Sequence, residues 1–443
     1  MTPQRRQELF RLGFLACLVV VSVPSKYVAY LAPPVYLVLL FLGREWGTVR
    51  RALMINLGLL AVSSASLLID ALRGREVNAP GMLLALLTFL PLTALLAERF
   101  DRTIDETTMS WLVRVCSWFV LAQAAVGLWQ FVASGNPDAV CGTLGLLDFR
   151  VAGITIMQVY FTFLLFGIVL FLLVAEKTWL SRAAIVAGLL VIGLAQSGHQ
   201  TVFFTVTLAA MALTRAARPR TAVMSLTAAA SVLVLAVYMY PETGTNVVNW
   251  YGKTVHDTHS PKRMAANGGL AIGNDAKNVC LGAGLGQFSS RAALITSDEY
   301  LTVRLPSVMV GQSDYFSQIV RPAMAVFDVV GEGSAVSKPY SSVLSLFVEL
   351  GAVLFAVLAV LFLGAICRNL VMMRSPIRGV AATGMMANVG LLFFALCCVI
   401  ENYAEFPVAI FIPGLLYVAA QSRARTIERT SGTTHQLAAG APV

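Results

Sequence analysis

The side chains in this sequence that could do chemistry are unevenly placed. Arg150, His199, Lys338, Glu349, Glu401 and Glu405 stand at the ends of apolar runs, and Arg263, Arg291, Arg304 and Arg321 lie in one long polar stretch, 241–339. His has an unperturbed pKa suited to general-base work, so His199 could take a proton from an attacking group. The same His could equally be an interfacial side chain satisfied by water or backbone. Glu349 could orient a partner or accept a proton, or simply mark the entry of a helix. Lys338, beside Pro339, could contact a phosphate or anchor a helix end. Gly282, Gly284 and Gly286 would let backbone N–H groups approach a phosphate, although a glycine-rich stretch also just makes turns. His256 and His259 have a spacing that could hold a metal, but no Cys or carboxylate at ligand spacing joins them, and no metal is assigned. There is no P-loop, dinucleotide fingerprint, zincin helix or nucleophile elbow.

The elements that must position these residues are apolar helices. Of 443 residues, 58% are hydrophobic and 12% charged, whereas a soluble domain carries about a quarter charged. A hydrocarbon core of about 30 Å needs roughly 20 apolar residues per helix. The runs 12–25, 27–43, 52–70, 81–97, 110–133, 153–175, 181–196, 200–214, 221–240, 340–367, 379–400 and 404–421 predict about twelve transmembrane helices. With the N-terminus inside, 20 of the 32 Lys and Arg residues are cytoplasmic and 12 are outside, eight of those in 241–339. The short-loop bias is therefore 20 to 4, so the net charge of +9 reads as topology rather than nucleic-acid binding. The expected organisation is an N-terminal bundle of about nine helices over 1–240 with an outer loop at 134–152, and a large periplasmic loop over 241–339. C-terminal helices over 340–421 and a cytoplasmic tail over 422–443, disordered from Ser431, complete it. Almost no charge falls at the predicted bilayer centre, which argues against an ion-coupled transporter. A site at the outer edge would sit at the headgroup boundary and could reach a lipid-anchored substrate. Cys141 and Cys280 fall in outer loops where a disulfide is permitted, but spacing leaves their proximity open.

Five segments in order, "GLWQF" (127–131), "FRVAGI" (149–154), "SGHQT" (197–201), "GAGLGQF" (282–288) and "YSSVLSLFVELG" (340–351), together resemble the O-antigen polymerase and O-antigen ligase superfamily. The resemblance covers about 130–360 and rests on order and placement rather than on any one motif. It implies an all-α polytopic membrane glycosyltransferase with GT-C-like architecture in the bacterial inner membrane. The implied chemistry is metal-independent glycosyl transfer at the periplasmic face, with an undecaprenyl-diphosphate-linked glycan as donor. Without a metal, arginine must neutralise the departing diphosphate, because guanidinium binds phosphate oxygens bidentately and stays charged. On this resemblance Arg150 matches the Arg of the family's outer-loop segment, and Arg263, Arg291, Arg321 and Lys338 are candidate diphosphate ligands. Arg304 is a further loop candidate; each of these loop residues could instead be a solvated charge.

Two departures matter. Many relatives read Ser-Gly-Ser-Arg-Thr where this chain has Ser197, Gly198, His199, Gln200 and Thr201. Ligases and many relatives carry a His-Asn pair where this chain has Tyr340 and Ser341, and Tyr, with an unperturbed pKa near 10, is a poor base. The candidate catalytic set is therefore His199, Tyr340 and Glu349, with the base unassigned. The favoured expectation is a polymerase of undecaprenyl-diphosphate-linked repeat units, giving O-antigen, capsule or exopolysaccharide. Its partners would be the lipid-linked donor and acceptor, the lipid bilayer, and a chain-length regulator or other assembly proteins. The alternatives are a ligase transferring glycan to lipid A-core, a lipid-linked oligosaccharide flippase, and a non-catalytic scaffold. No cofactor is expected.

Overall fold

The computed structural model describes residues 2–25, 28–98, 104–146, 155–175, 178–195, 197–215, 257, 259–297, 305–330 and 338–439. Within them the chain is helical, and no strand occurs among the described residues. Five helices are long and apolar enough to cross a membrane: Trp46–Leu72, Glu106–Ser134, Met157–Val174, Ser342–Met373 and Arg378–Ile400. A sixth span would be the pair Ala79–Thr88 and Leu90–Ala97, bent by 45° at their junction. Pro91 gives the reason, since it lacks an N–H and its ring obstructs the carbonyl four residues back.

Twelve full spans are thus more than the described residues show. The run 181–196 folds as Trp179–Leu194, 16 residues long, which at about 1.5 Å per residue falls short of a core of about 30 Å. The helix Val28–Leu42 is likewise short, and the run 221–240 lies outside the described residues. The tail departs from expectation too. The last helix runs Pro407–Ala439, so Ser431 continues a helix instead of starting a disordered segment. Extending an existing helix adds one hydrogen bond per residue fixed, and no proline follows Ser431 until Pro442.

Side-chain caps set several helix starts. Asp105 accepts the Thr108 N–H at 2.7 Å, Thr178 accepts that of Ser181 at 3.1 Å, and Ser341 accepts that of Leu344 at 3.1 Å. The Met157–Val174 helix is the bundle's centre, with 78% of its length buried, whereas an 18-residue apolar stretch within Ser342–Met373 is only 11% buried. The latter exposes Val353, Val357, Val360, Leu361 and Leu363. An apolar flank of that size suits lipid contact rather than water. Against the central helix the Pro413-containing last helix packs so closely that a Cβ on Gly167 would lie 2.6 Å from the Pro413 ring.

The two ends of the bundle differ. At one, helix ends are tied by Arg6 with Glu45 (3.1 Å), Arg423 with Glu106 (2.8 Å) and the Arg51 guanidinium to the Ala97 carbonyl (2.7 Å). At the other, the described part of the long loop is docked on the helices. Lys277 meets buried Asp70 at 2.5 Å, and the Tyr315 hydroxyl donates to the same carboxylate at 3.2 Å. Ser66 donates to the Gly282 carbonyl (2.8 Å), and the Asn78 amide group reaches Thr296 (2.8 Å). Burial, only partly offset by Asp70, lowers the Lys277 pKa. Cys141 is buried, with its thiol donating to the Ala139 carbonyl at 3.2 Å, and Cys280 is exposed; neither is in a disulfide, so the pairing left open by the sequence is not formed.

Candidate functional site

The site is organised by a short link between the two C-terminal helices, Arg378–Ile400 and Pro407–Ala439. All of Glu401, Asn402, Tyr403 and Glu405 are buried, at 3%, 0%, 0% and 0% exposure. Buried charge is tolerated only with partners, and those partners come from distant parts of the chain. The long loop supplies Lys262, whose ammonium donates to the Ile400 carbonyl at 2.5 Å and to the Tyr340 carbonyl at 3.3 Å. It also supplies Arg291, whose backbone N–H donates to Glu405 Oε2 at 2.6 Å. The Arg291 guanidinium donates to the Tyr160 hydroxyl and lies over the Tyr160 and Phe406 rings, at 5.2 and 5.1 Å. Lys338 reaches Glu401 Oε2 at 3.4 Å and lies 5.7 Å from the Tyr340 ring centre.

The helical hairpin joins the same cluster. His199 Nε2 lies 3.1 Å from the Tyr403 hydroxyl, and the Gln200 amide group donates to that hydroxyl at 3.0 Å. Gln200 is itself fixed by Thr162, which donates to its Oε1 at 2.5 Å. The charged groups acting on His199 are Glu401, Lys262 and Lys338. Lys262 is pushed down to about 8 by burial, with Glu401 opposing the shift and Lys338 adding to it. It therefore gives up its proton at lower pH than an exposed lysine does, while remaining mostly charged at neutral pH.

Beside the cluster, Glu349 and the glycine-rich segment form one structural unit. The Ser342–Met373 helix breaks at Gly351, whose φ is +80°. A break frees carbonyls, and the loop takes them up: Ala283 N–H donates to Val348 O (2.8 Å) and Gly284 N–H to Glu349 O (3.0 Å). In return the Glu349 carboxylate accepts the backbone N–H groups of Gly286 (2.7 Å), Phe288 (2.9 Å) and Ser290 (3.2 Å). Of the three glycines whose N–H groups could have faced a phosphate, Gly286 donates to this carboxylate, while Gly282 and Gly284 donate to the Asn278 and Glu349 backbone carbonyls, both at 3.0 Å. The geometry fits Glu349 as a positioning residue and the glycines as architecture.

Of the residues expected from the sequence, His199, Arg291, Lys338 and Tyr340 are brought to the cluster, and Glu349 borders it. Tyr340 is 5% exposed and meets Lys262 through its backbone carbonyl. Arg263 is half-buried one residue beyond Lys262, its backbone N–H donating to the Ser260 cap at 3.4 Å. Arg321, at the start of Arg321–Val330, is exposed, so it does not enter this buried group. Arg150, Arg304 and His256 lie outside the described residues. His259 is exposed, its backbone N–H on Asp257.

Lys262, Tyr160, Gln200, Asn402 and Tyr403 carry no sequence signal that marks them as functional, and Glu401 and Glu405 stand out only as charges at the ends of apolar runs. The signal available was two carboxylates within a short link between two apolar runs. Charge at that position is expensive unless the fold spends partners on it. No family model matches this chain, and no curated protein matches it.

Proposed function

We propose that this chain is a membrane glycosyltransferase that polymerises undecaprenyl-diphosphate-linked repeat units at the outer face of a bacterial inner membrane. The observation that carries the reading is the meeting of Lys262, Arg291 and Lys338 with Glu401, Glu405 and His199 at the loop-bearing end of apolar helices. Cations held rigidly in a water-poor setting stabilise a departing diphosphate more strongly than they could in bulk solvent. Carboxylates and a His beside them are the groups that can take a hydroxyl proton. The location suits a substrate whose lipid tail stays in the bilayer while its diphosphate and sugars reach the end of the bundle.

Tyr340, standing where ligases carry His, favours polymerase over ligase. Arg150 is assigned to the leaving group in this reading through the family resemblance alone. Deleting the gene and analysing the surface glycan tests the proposal. Loss of a polymerase leaves single repeat units on the acceptor or abolishes secreted polymer. Full-length chains stranded on the lipid carrier would indicate a ligase instead. Lipid-linked repeats trapped on the cytoplasmic face would indicate a flippase.

A further inference from the structure

The link between the last two helices carries an unusual set of unsatisfied oxygens. Glu401 Oε1, Asn402 Oδ1 and Glu405 Oε1 are each buried without a hydrogen-bond partner. In each side chain the companion atom is fixed. Glu401 Oε2 faces Lys338 at 3.4 Å, the Asn402 amide group donates to the Ser289 carbonyl at 2.8 Å, and Glu405 Oε2 accepts the Arg291 N–H at 2.6 Å. These side chains are therefore held in place with an acceptor left over. Native proteins rarely leave buried acceptors unsatisfied, because each has lost its water without gaining a donor in exchange. Three on one link ask for a ligand rich in O–H donors, and a sugar is such a ligand. The lysines and Arg291 cannot be the residues that recognise hydroxyl protons, since they only donate.

We propose that this link is the acceptor-sugar site and that Glu401 is the general base. This rests on the glycosyltransferase reading above and assigns its missing base. Glu401 is singled out from Glu405 by its neighbours. The charged and titratable groups that act on or adjoin it are Lys338, Lys262, His199, Tyr403 and Glu405. Two of these are the cations assigned to the diphosphate, so the base lies beside the leaving-group site. In the reaction the acceptor hydroxyl gives its proton to Glu401, and its oxygen forms a bond to the donor's anomeric carbon. The bond from that carbon to the diphosphate oxygen breaks, and the electron pair leaves on the diphosphate. Glu401 then releases its proton to the leaving group or to solvent. Asn402 and Glu405 position the acceptor by accepting other hydroxyls.

The test uses the purified full-length protein in lipid nanodiscs, with lipid-linked repeat units extracted from a strain lacking the gene. Glu401→Gln keeps the shape and removes the base, and chain growth should fall about 100-fold or more. The KM for the lipid-linked repeat should change less than threefold, so that the loss falls on kcat. Glu401→Asp keeps the carboxylate but withdraws it by one methylene. It should fold as the wild type does and lose about tenfold or more in kcat. It supplies the decision if Glu401→Gln does not fold. Wild-type rates in a folded Glu401→Gln or Glu401→Asp variant would overturn the assignment while leaving the glycosyltransferase reading intact. Wild-type protein that makes no polymer would overturn both.

Discussion

Two buried residues show how burial decides between chemical and structural roles. Glu349 gathers three backbone N–H groups, so its carboxylate is committed to holding the loop. Glu349→Ala should lower stability by about 3 kcal/mol or more, since three buried donors lose their acceptor. Glu349→Gln, which returns one acceptor oxygen, should fall between, with activity declining in step with the melting temperature in detergent. Activity loss without loss of stability would instead assign Glu349 a chemical role. Lys262 makes a different prediction, because burial holds it at about 8 against the ordinary 10.5. Between those values the unfolded chain binds the proton that the folded chain has released, so stability rises with pH across the window. Below about 8 the cost of burying the charge is fully present. Lys262→Met should flatten the rise in melting temperature between pH 8 and 10.5, with Lys277, lowered likewise, retaining part of it. At this scale the sequence was partly legible. His199 and Lys338 were found because polar residues at the ends of apolar runs stand out. Lys262 was hidden one position from Arg263, and only the fold tells which of two adjacent cations is turned inward.

Among the elements, the decisive feature is the broken helix Ser342–Met373. Gly351 adopts φ +80°, and a Cβ there would lie 2.6 Å from both Asn278 O and Gly282 N. The break lets the loop dock through its own N–H groups, and thereby aligns Arg291 and Ser289 with the link at 401–405. Gly351→Ala should lower stability by about 1–3 kcal/mol from backbone strain, with overlap adding to it. Limited proteolysis should then cut within 259–297 faster than in the wild type. An unchanged digestion pattern would show that the break is not what docks the loop. The Glu-Leu-Gly segment was legible as a helix entry, but not as a kink. A glycine inside an apolar run has the same appearance whether it serves lipid packing or positive φ. The bent pair around Leu90 was likewise read as one run, since hydropathy is blind to Pro91 once its neighbours are apolar.

At the scale of the whole molecule, the membrane character was legible because lipid imposes it on composition directly. The number of full spans was not, because a run of apolar residues does not declare whether it spans, bends or stops short. The site was legible only as a list of charges at one edge. What joins them is long-range packing between the loop, the hairpin and the final link, which no local pattern encodes. The assigned orientation places the exposed Cys280 thiol outside. A membrane-impermeant maleimide should therefore label it in intact spheroplasts and leave buried Cys141 unlabelled; labelling of Cys280 only after lysis would reverse the topology. The central claim, that this end of the bundle transfers sugars from a lipid diphosphate, is tested most directly with the purified protein in nanodiscs. Supplied with undecaprenyl-diphosphate-linked repeat units and no nucleotide sugar, it should produce a ladder of glycan lengths and free undecaprenyl diphosphate. Repeat units that stay single while the protein remains folded would contradict the account.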